Sequence, residues 1–139
     1  MKIYIASKFA FKEKAIAIAN ELKSDGHIIT CEWWNDDIKK IPCSNKEWYQ
    51  HPDVIKIRNR DFKGVDDCDV LILLSSYIEP TSFNGANVEL GYAIAKNKKI
   101  IIAGSVDRNA LYSGAVFCNG TQHLKNELLS MDAQCSSNR

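Results

Sequence analysis

The chain of 139 residues predicts an α/β fold: a doubly wound sheet of about five parallel strands with helices on both faces. Three observations carry this reading. Short apolar runs of strand length alternate with stretches of helical periodicity. The central run "DVLILLS", Asp69 to Ser75, is apolar almost throughout, as in a strand covered on both faces. The chain also opens strand–helix–strand, which calls for a parallel pair joined by a right-handed crossover.

In order along the chain, "KIYIA" (Lys2 to Ala6) reads as the first strand. "KEKAIAIANELK" follows as a helix with Ala15, Ile18, Ala19 and Leu22 on one face, closed by Gly26 as a left-handed cap. "HIITCEW" is expected to be the second strand. The polar stretch from Trp34 to Pro52 is too long for a plain connector, and loops of that length in small domains are often functional. Pro52 suits the first turn of a helix whose apolar stripe is Val54, Ile55, Phe62 and Val65. After the central strand comes the turn-rich "SYIEPTSFNGAN", then a helix "VELGYAIAKNK" and a strand "KIIIAG". "GAVFC" is a fifth short strand and "TQHLKNELLSM" a last helix. One domain over residues 1–131 is expected, with a disordered tail from 132 to 139. A domain of this length buries roughly 70% of its unfolded surface, enough for a core without staples.

Composition narrows the function classes. Net charge is +1 and the basic residues are dispersed, which is not the footprint of a nucleic-acid binder. The basic cluster Lys96 to Lys99 sits at a helix end, where cations suit the macrodipole. The five cysteines include no C-x-x-C pair, and Cys31, Cys68 and Cys118 border apolar runs, so reduced core thiols are expected, with Cys135 free. His27, His51 and His123 share no ligand spacing, and no metal or redox cofactor is implied. No leader-like segment and no apolar run of membrane length is present, so a cytoplasmic protein without membrane contact is expected. No phosphate-binding G-x-x-x-x-G-K-[ST], no G-x-G-x-x-G after the first strand and no G-x-S-x-G elbow occurs, which argues against kinase, dehydrogenase and esterase readings.

Ligands of such sheets bind beyond the carboxyl ends of the strands. The loops after Ala6, after Trp34 and from Ser75 to Asn87 emerge there, and Glu89 stands at their rim. In the first turn of its helix, as predicted, Glu89 would be held ionised by the macrodipole and could act as a nucleophile toward an oxocarbenium-like sugar carbon. A first-turn surface glutamate is the plainer reading; a capping box is excluded because Ala86 stands where Ser or Thr is needed. Gly85 would let the backbone approach a ligand, and Gly91 would let the helix pack close to the sheet. Asp61 is either a site carboxylate or a solvated helix charge, and Tyr4 either a site hydroxyl or a core aromatic. Trp33, Trp34, Trp48 and Tyr49 either pack beneath the long loop or offer a stacking surface for a planar base.

"IYIAS", "DFKGVDDCDVLILL" and "NGANVELGYAIAKNKKIII", in this order and spacing over roughly residues 1–105, resemble the nucleoside 2-deoxyribosyltransferases and their sister deoxynucleoside monophosphate N-glycosidases. The "ELGYA-x-A" block is the most specific part. The resemblance implies a flavodoxin- or TIR-like sheet, cleavage of an N-glycosidic bond, a nucleoside or nucleotide substrate, and a homo-oligomer. It makes Glu89 the nucleophile. Asp61, eight positions before Asp69, becomes the residue that assists at the base, and Tyr4 the residue that orients Glu89. It further implies substrate contacts from Ser7, Phe9, Trp34, Ser82, Phe83, Asn84, Gly85 and Asn87, and from Asn109 offered to a neighbouring subunit. The chain departs from the pattern in two places. Phe83 stands where the transferases carry an aspartate and the hydrolases a serine, and Asn87 replaces a glycine. Two other readings compete: a nucleotide- or NAD-derivative-binding module without turnover, and a TIR-like NAD glycohydrolase.

Overall fold

The computed structural model describes residues 1–37, 41–76 and 85–138. Five strands, β1 (Lys2–Ser7), β2 (Ile28–Ile29), β3 (Val70–Leu74), β4 (Lys99–Ala103) and β5 (Val116–Cys118), form one sheet in the order β2-β1-β3-β4-β5. Every pairing is parallel. The helices are α1 (Lys12–Ser24), α2 (Asn45–Trp48), α3 (Pro52–Asp67), α4 (Gly85–Ala95) and α5 (Thr121–Ser137). This is the doubly wound α/β arrangement predicted. None of the described helices is long and apolar enough to cross a membrane.

Alternation along the strands divides the core into two layers. Ile3, Ile5, Ile72 and Ile101 face α1 and α5, where Leu22, Leu124 and Leu128 are fully buried. Tyr4, Ala6, Leu71, Leu73 and Ile102 face the opposite way, with Val65 of α3 and Leu90 and Ala93 of α4 in the same apolar cluster. That second layer collects the predicted site. Tyr4 comes from the strand below, Asp61 from one covering helix and Glu89 from the other.

The strands end level. Ser7 pairs with Leu74, and Leu74 with Ala103. The β1 and β3 exits therefore open side by side, where the chain order reverses and a doubly wound sheet leaves its crevice. Gly104, at a φ of +121°, turns the chain tightly against β3; a Cβ there would lie 2.7 Å from the Ser75 carbonyl oxygen. The Ser105 amide then donates to Ser76 O at 2.7 Å, stitching the exits of β3 and β4 together.

Several elements depart from the sequence reading. The second strand keeps only Ile28 and Ile29 of the predicted "HIITCEW". After Thr30 the chain turns toward α3, because the Thr30 hydroxyl donates to Gly64 O at 2.8 Å. The long polar stretch contains α2, opened by a capping box of Ser44 and Glu47, a signal visible as "SNKE". Helix α4 includes Gly85 to Asn87, three residues before the predicted Val88. The last helix runs to Ser137, past the Met131 predicted as its end and into the expected tail. Met131 is buried and keeps that turn against the sheet. Pro52 does open α3, and Gly26 is left-handed at φ +91°.

The close-packing glycine is not the one expected. Gly91 is exposed, with nothing within 4 Å of an added Cβ. At Gly64 an added Cβ would stand 2.8 Å from Cys31 Cβ and 2.9 Å from the Tyr4 ring. The bare backbone of α3 therefore rests directly on Tyr4. Gly64→Ala is expected to destabilise the protein by about 1–3 kcal/mol through overpacking. Gly91→Ala should stabilise it by about 0.5–1 kcal/mol through helix propensity. Urea denaturation of both variants checks the contrast, and equal effects would refute the assignment.

Candidate active site

Helical periodicity places both carboxylates on inward faces. In α4 the buried residues Ala86, Leu90 and Ala93 define the stripe against the sheet, and Glu89 lies inside it. In α3 the inward line runs through Ile57, Asp61, Gly64 and Val65, of which Gly64 and Val65 are buried. The two helices pack side by side over β1, and their carboxylates meet at the sheet's carboxyl end.

Two clefts converge there. One, of about 440 Å³, is walled by Ser7, Phe9, Trp33 and Asp36. The other, of about 400 Å³, is apolar and aromatic, walled by Trp48, Tyr49, Val54, Phe62 and Val88. Ile57, Asp61, Gly85 and Glu89 belong to both. Gly85 has open space where a side chain would stand, so its backbone is bare to the cleft.

Glu89 does not owe its state to the helix end. It lies a full turn inside α4 as described, and the first turn contains no acidic residue. Burial, reinforced by the Asp61 charge, raises its pKa to about 8; the Tyr4 hydroxyl acts in the opposite direction. At neutral pH the free site therefore holds Glu89 mainly protonated, the reverse of the ionised carboxylate expected from the macrodipole. Tyr4 is fully buried, and its hydroxyl has no partner of hydrogen-bonding geometry among the described residues. Burial first, then the Glu89 and Asp61 charges, push its pKa far up, so it stays a neutral donor.

Of the expected substrate contacts, Ser7, Phe9 and Gly85 line the clefts. Trp34 does not. It is buried in the layer beneath α1, and its neighbour Trp33 faces the cleft instead. Trp33 is held there because its indole Nε1 donates to Ile5 O at 2.7 Å, taking a β1 carbonyl that the shortened β2 leaves unpaired. Asn87 is exposed and accepts from the Tyr112 hydroxyl at 3.3 Å, outside both clefts. Asn109 caps a 3₁₀ turn (Ala110–Tyr112) and lines a separate hollow. Ser82, Phe83 and Asn84 lie outside the described residues. Sequence reasoning missed Ile57, Asp36 and Arg60; the i, i+4 spacing of Ile57 and Asp61 was the available signal.

The raised Glu89 pKa couples to folding. A carboxyl whose pKa is higher folded than unfolded stabilises the fold fully below the unfolded value of 4.5, and this contribution is lost as pH rises toward about 8. Glu89→Gln removes the ionisation. The Tm of the variant minus that of the natural protein is expected to grow between pH 5 and pH 8.5, by about 2–4 °C or more. A constant difference across that range would contradict the buried-carboxyl assignment.

The nucleoside 2-deoxyribosyltransferase family model matches residues 3–132. Solved structures that share the fold include the following. The 2-deoxyribosyltransferase of Bacillus psychrosaccharolyticus superposes with a TM-score of 0.66 at 16% identity, covering 91% of both chains. The 2-deoxyribosyltransferase of Leishmania mexicana gives 0.61 at 16% identity, covering 93% of this chain and 97% of its own. The CMP N-glycosidase BcmB of Clostridium botulinum gives 0.56 at 17% identity, covering 92% and 98%. No curated protein sequence matches the chain. With the family model spanning nearly the whole chain and the fold agreeing with it, the protein belongs to the nucleoside 2-deoxyribosyltransferase family.

Proposed function

We propose that the protein breaks the N-glycosidic bond of a 2′-deoxynucleoside or its 5′-monophosphate through a covalent glycosyl–Glu89 intermediate. The observation that supports this most is the convergence of Glu89 and Asp61 on the floor shared by two clefts, above the buried Tyr4 hydroxyl. Two carboxyl groups in one desolvated site hold a proton between them rather than both ionising. That proton is what a departing base needs.

In this reading Glu89 passes its proton to Asp61 and becomes the nucleophile. A carboxylate oxygen of Glu89 attacks C1′, the C1′–N bond breaks, and its electron pair leaves with the base. The base takes the proton from Asp61. Tyr4, too deeply buried to ionise and without a hydrogen-bond partner among the described residues of the free site, donates to Glu89 once that carboxylate forms and fixes its direction. Water or a second base then attacks C1′, gives its proton to the Asp61 carboxylate and breaks the C1′–O bond to release Glu89 as a carboxylate, which restores the singly protonated pair: water gives hydrolysis, a second base gives transfer. Phe9 and Trp33, with ring centroids 6.4 Å apart, supply a wall against which a planar base can stack. Asn109, absent from both clefts within one chain, serves a neighbouring copy in this reading.

The test is a chromatographic screen of deoxynucleosides, their 5′-monophosphates and NAD, each with and without a second free base. Release or exchange of base is expected, with a loss of at least about a thousandfold in Glu89→Ala. Unchanged turnover in a folded Glu89→Ala variant would sink the mechanism, and binding without release would favour the ligand-binding module. The kcat/KM of the active substrate is expected to fall about tenfold per pH unit above about 8, as the pair loses its proton. A profile that instead climbs through pH 8 would make Glu89 an already ionised nucleophile with no proton to pass on.

A further inference from the structure

The two oxygens of Asp61 keep different company. Oδ1 accepts from Arg60 Nη2 at 2.5 Å, from Arg60 Nε at 3.2 Å and from Cys31 Sγ at 3.4 Å. Oδ2 has no hydrogen-bond partner among the described residues. Consecutive residues on a helix do not face one another, so Arg60 does not meet Asp61 by position alone. It is drawn across by Asp36, whose Oδ1 and Oδ2 accept from Nη1 at 2.7 Å and Nη2 at 2.5 Å. The guanidinium thus forks onto one carboxylate and shares a nitrogen with the other.

This arrangement does little for stability. The Arg60 side chain is 41% exposed, and ion pairs that open to water contribute little. Its geometric effect is sharper. Asp36 belongs to the loop after β2 and lines the first cleft, whereas Asp61 lies on α3 at the junction of both clefts. Cys31 approaches from beneath. Burial pushes its thiol up to about 12, so it remains a donor at any working pH. Three donor contacts therefore converge on one oxygen of Asp61 and none on the other.

We propose that Arg60, anchored by Asp36 and backed by Cys31, is a positioning residue: it commits Oδ1 of Asp61 to the protein and leaves Oδ2 to carry the proton to the departing base. This inference rests on the functional reading above and assigns a task to a residue outside the reacting trio.

The experiment compares the natural protein with Arg60→Met, Arg60→Lys, Asp36→Asn, Asp61→Asn and the double variant Arg60→Met/Asp61→Asn. The probe is whichever deoxynucleoside or 5′-monophosphate the natural protein turns over. Arg60→Met is expected to lower kcat about 10- to 100-fold while KM stays within about threefold. Arg60→Lys, which cannot fork, should recover only part of the loss. Asp36→Asn, which loosens Arg60 from its far side, should lower kcat in the same sense, and this arm stands even where Arg60→Met fails to fold. The double variant should be no slower than Asp61→Asn alone, because both changes break one function. Additive losses, or an unimpaired kcat in folded Arg60→Met, would overturn the inference while leaving the function standing. A natural protein that turns over none of the probes removes the functional reading, and this inference with it.

Discussion

The active-site layer depends on one contact: the backbone of α3 resting on Tyr4 at Gly64. Without a side chain at that position, α3 lies close enough to the sheet for Asp61, one turn earlier, to reach the carboxyl end of β1. Cys31 fills the other side of the same gap, 2.8 Å from where a Cβ would stand, and is therefore also within reach of Asp61. Thr30 secures the approach by donating to the Gly64 carbonyl. Three residues of the site thus take their places from an absence of side-chain volume.

The second governing term is the desolvation of Glu89. An apolar stripe in α4 that includes a carboxyl group works against folding unless the group is neutral. The protein meets this by holding the proton, and the nearby Asp61 charge strengthens the hold. Strain of this kind persists because the surrounding packing over-determines it. Leu90 and Ala93 on α4, and the strands beneath, leave the helix no other face to present. In the proposed mechanism, the tension that raises the Glu89 pKa is also the source of the proton that leaves with the base.

Much of this was legible in the chain. The strand–helix alternation, the apolar run of β3 and the Pro52 and Gly26 punctuation each carry a local physical cause, and each appears where expected. Asp61 and Glu89, marked by the family-like blocks, line the same clefts, although Glu89 lies a full turn inside α4 and not in its first turn as expected. What could not be read is tertiary in origin. The exchange of Trp34 for Trp33 at the cleft depends on where β2 stops, and β2 stops because of a hydroxyl bonding to a distant helix. α4 already includes Gly85 to Asn87, with Ala86 buried, and periodicity counted from Val88 does not include that turn. The role given to Gly91 belonged to Gly64, because only packing, not spacing, distinguishes a glycine that is crowded from one that faces water.

The Trp33 indole ties the cleft wall to the margin of the sheet. β2 is only two residues long, so β1 would otherwise present an open ladder at the sheet's margin, where another chain could add a strand. The bond from Nε1 to the Ile5 carbonyl closes that margin with a side chain. The same ring forms a wall of the cleft. In the proposed reading, where a base stacks on this wall, refashioning it for a different base would also strip the seal from the sheet, coupling selectivity at this position to self-association.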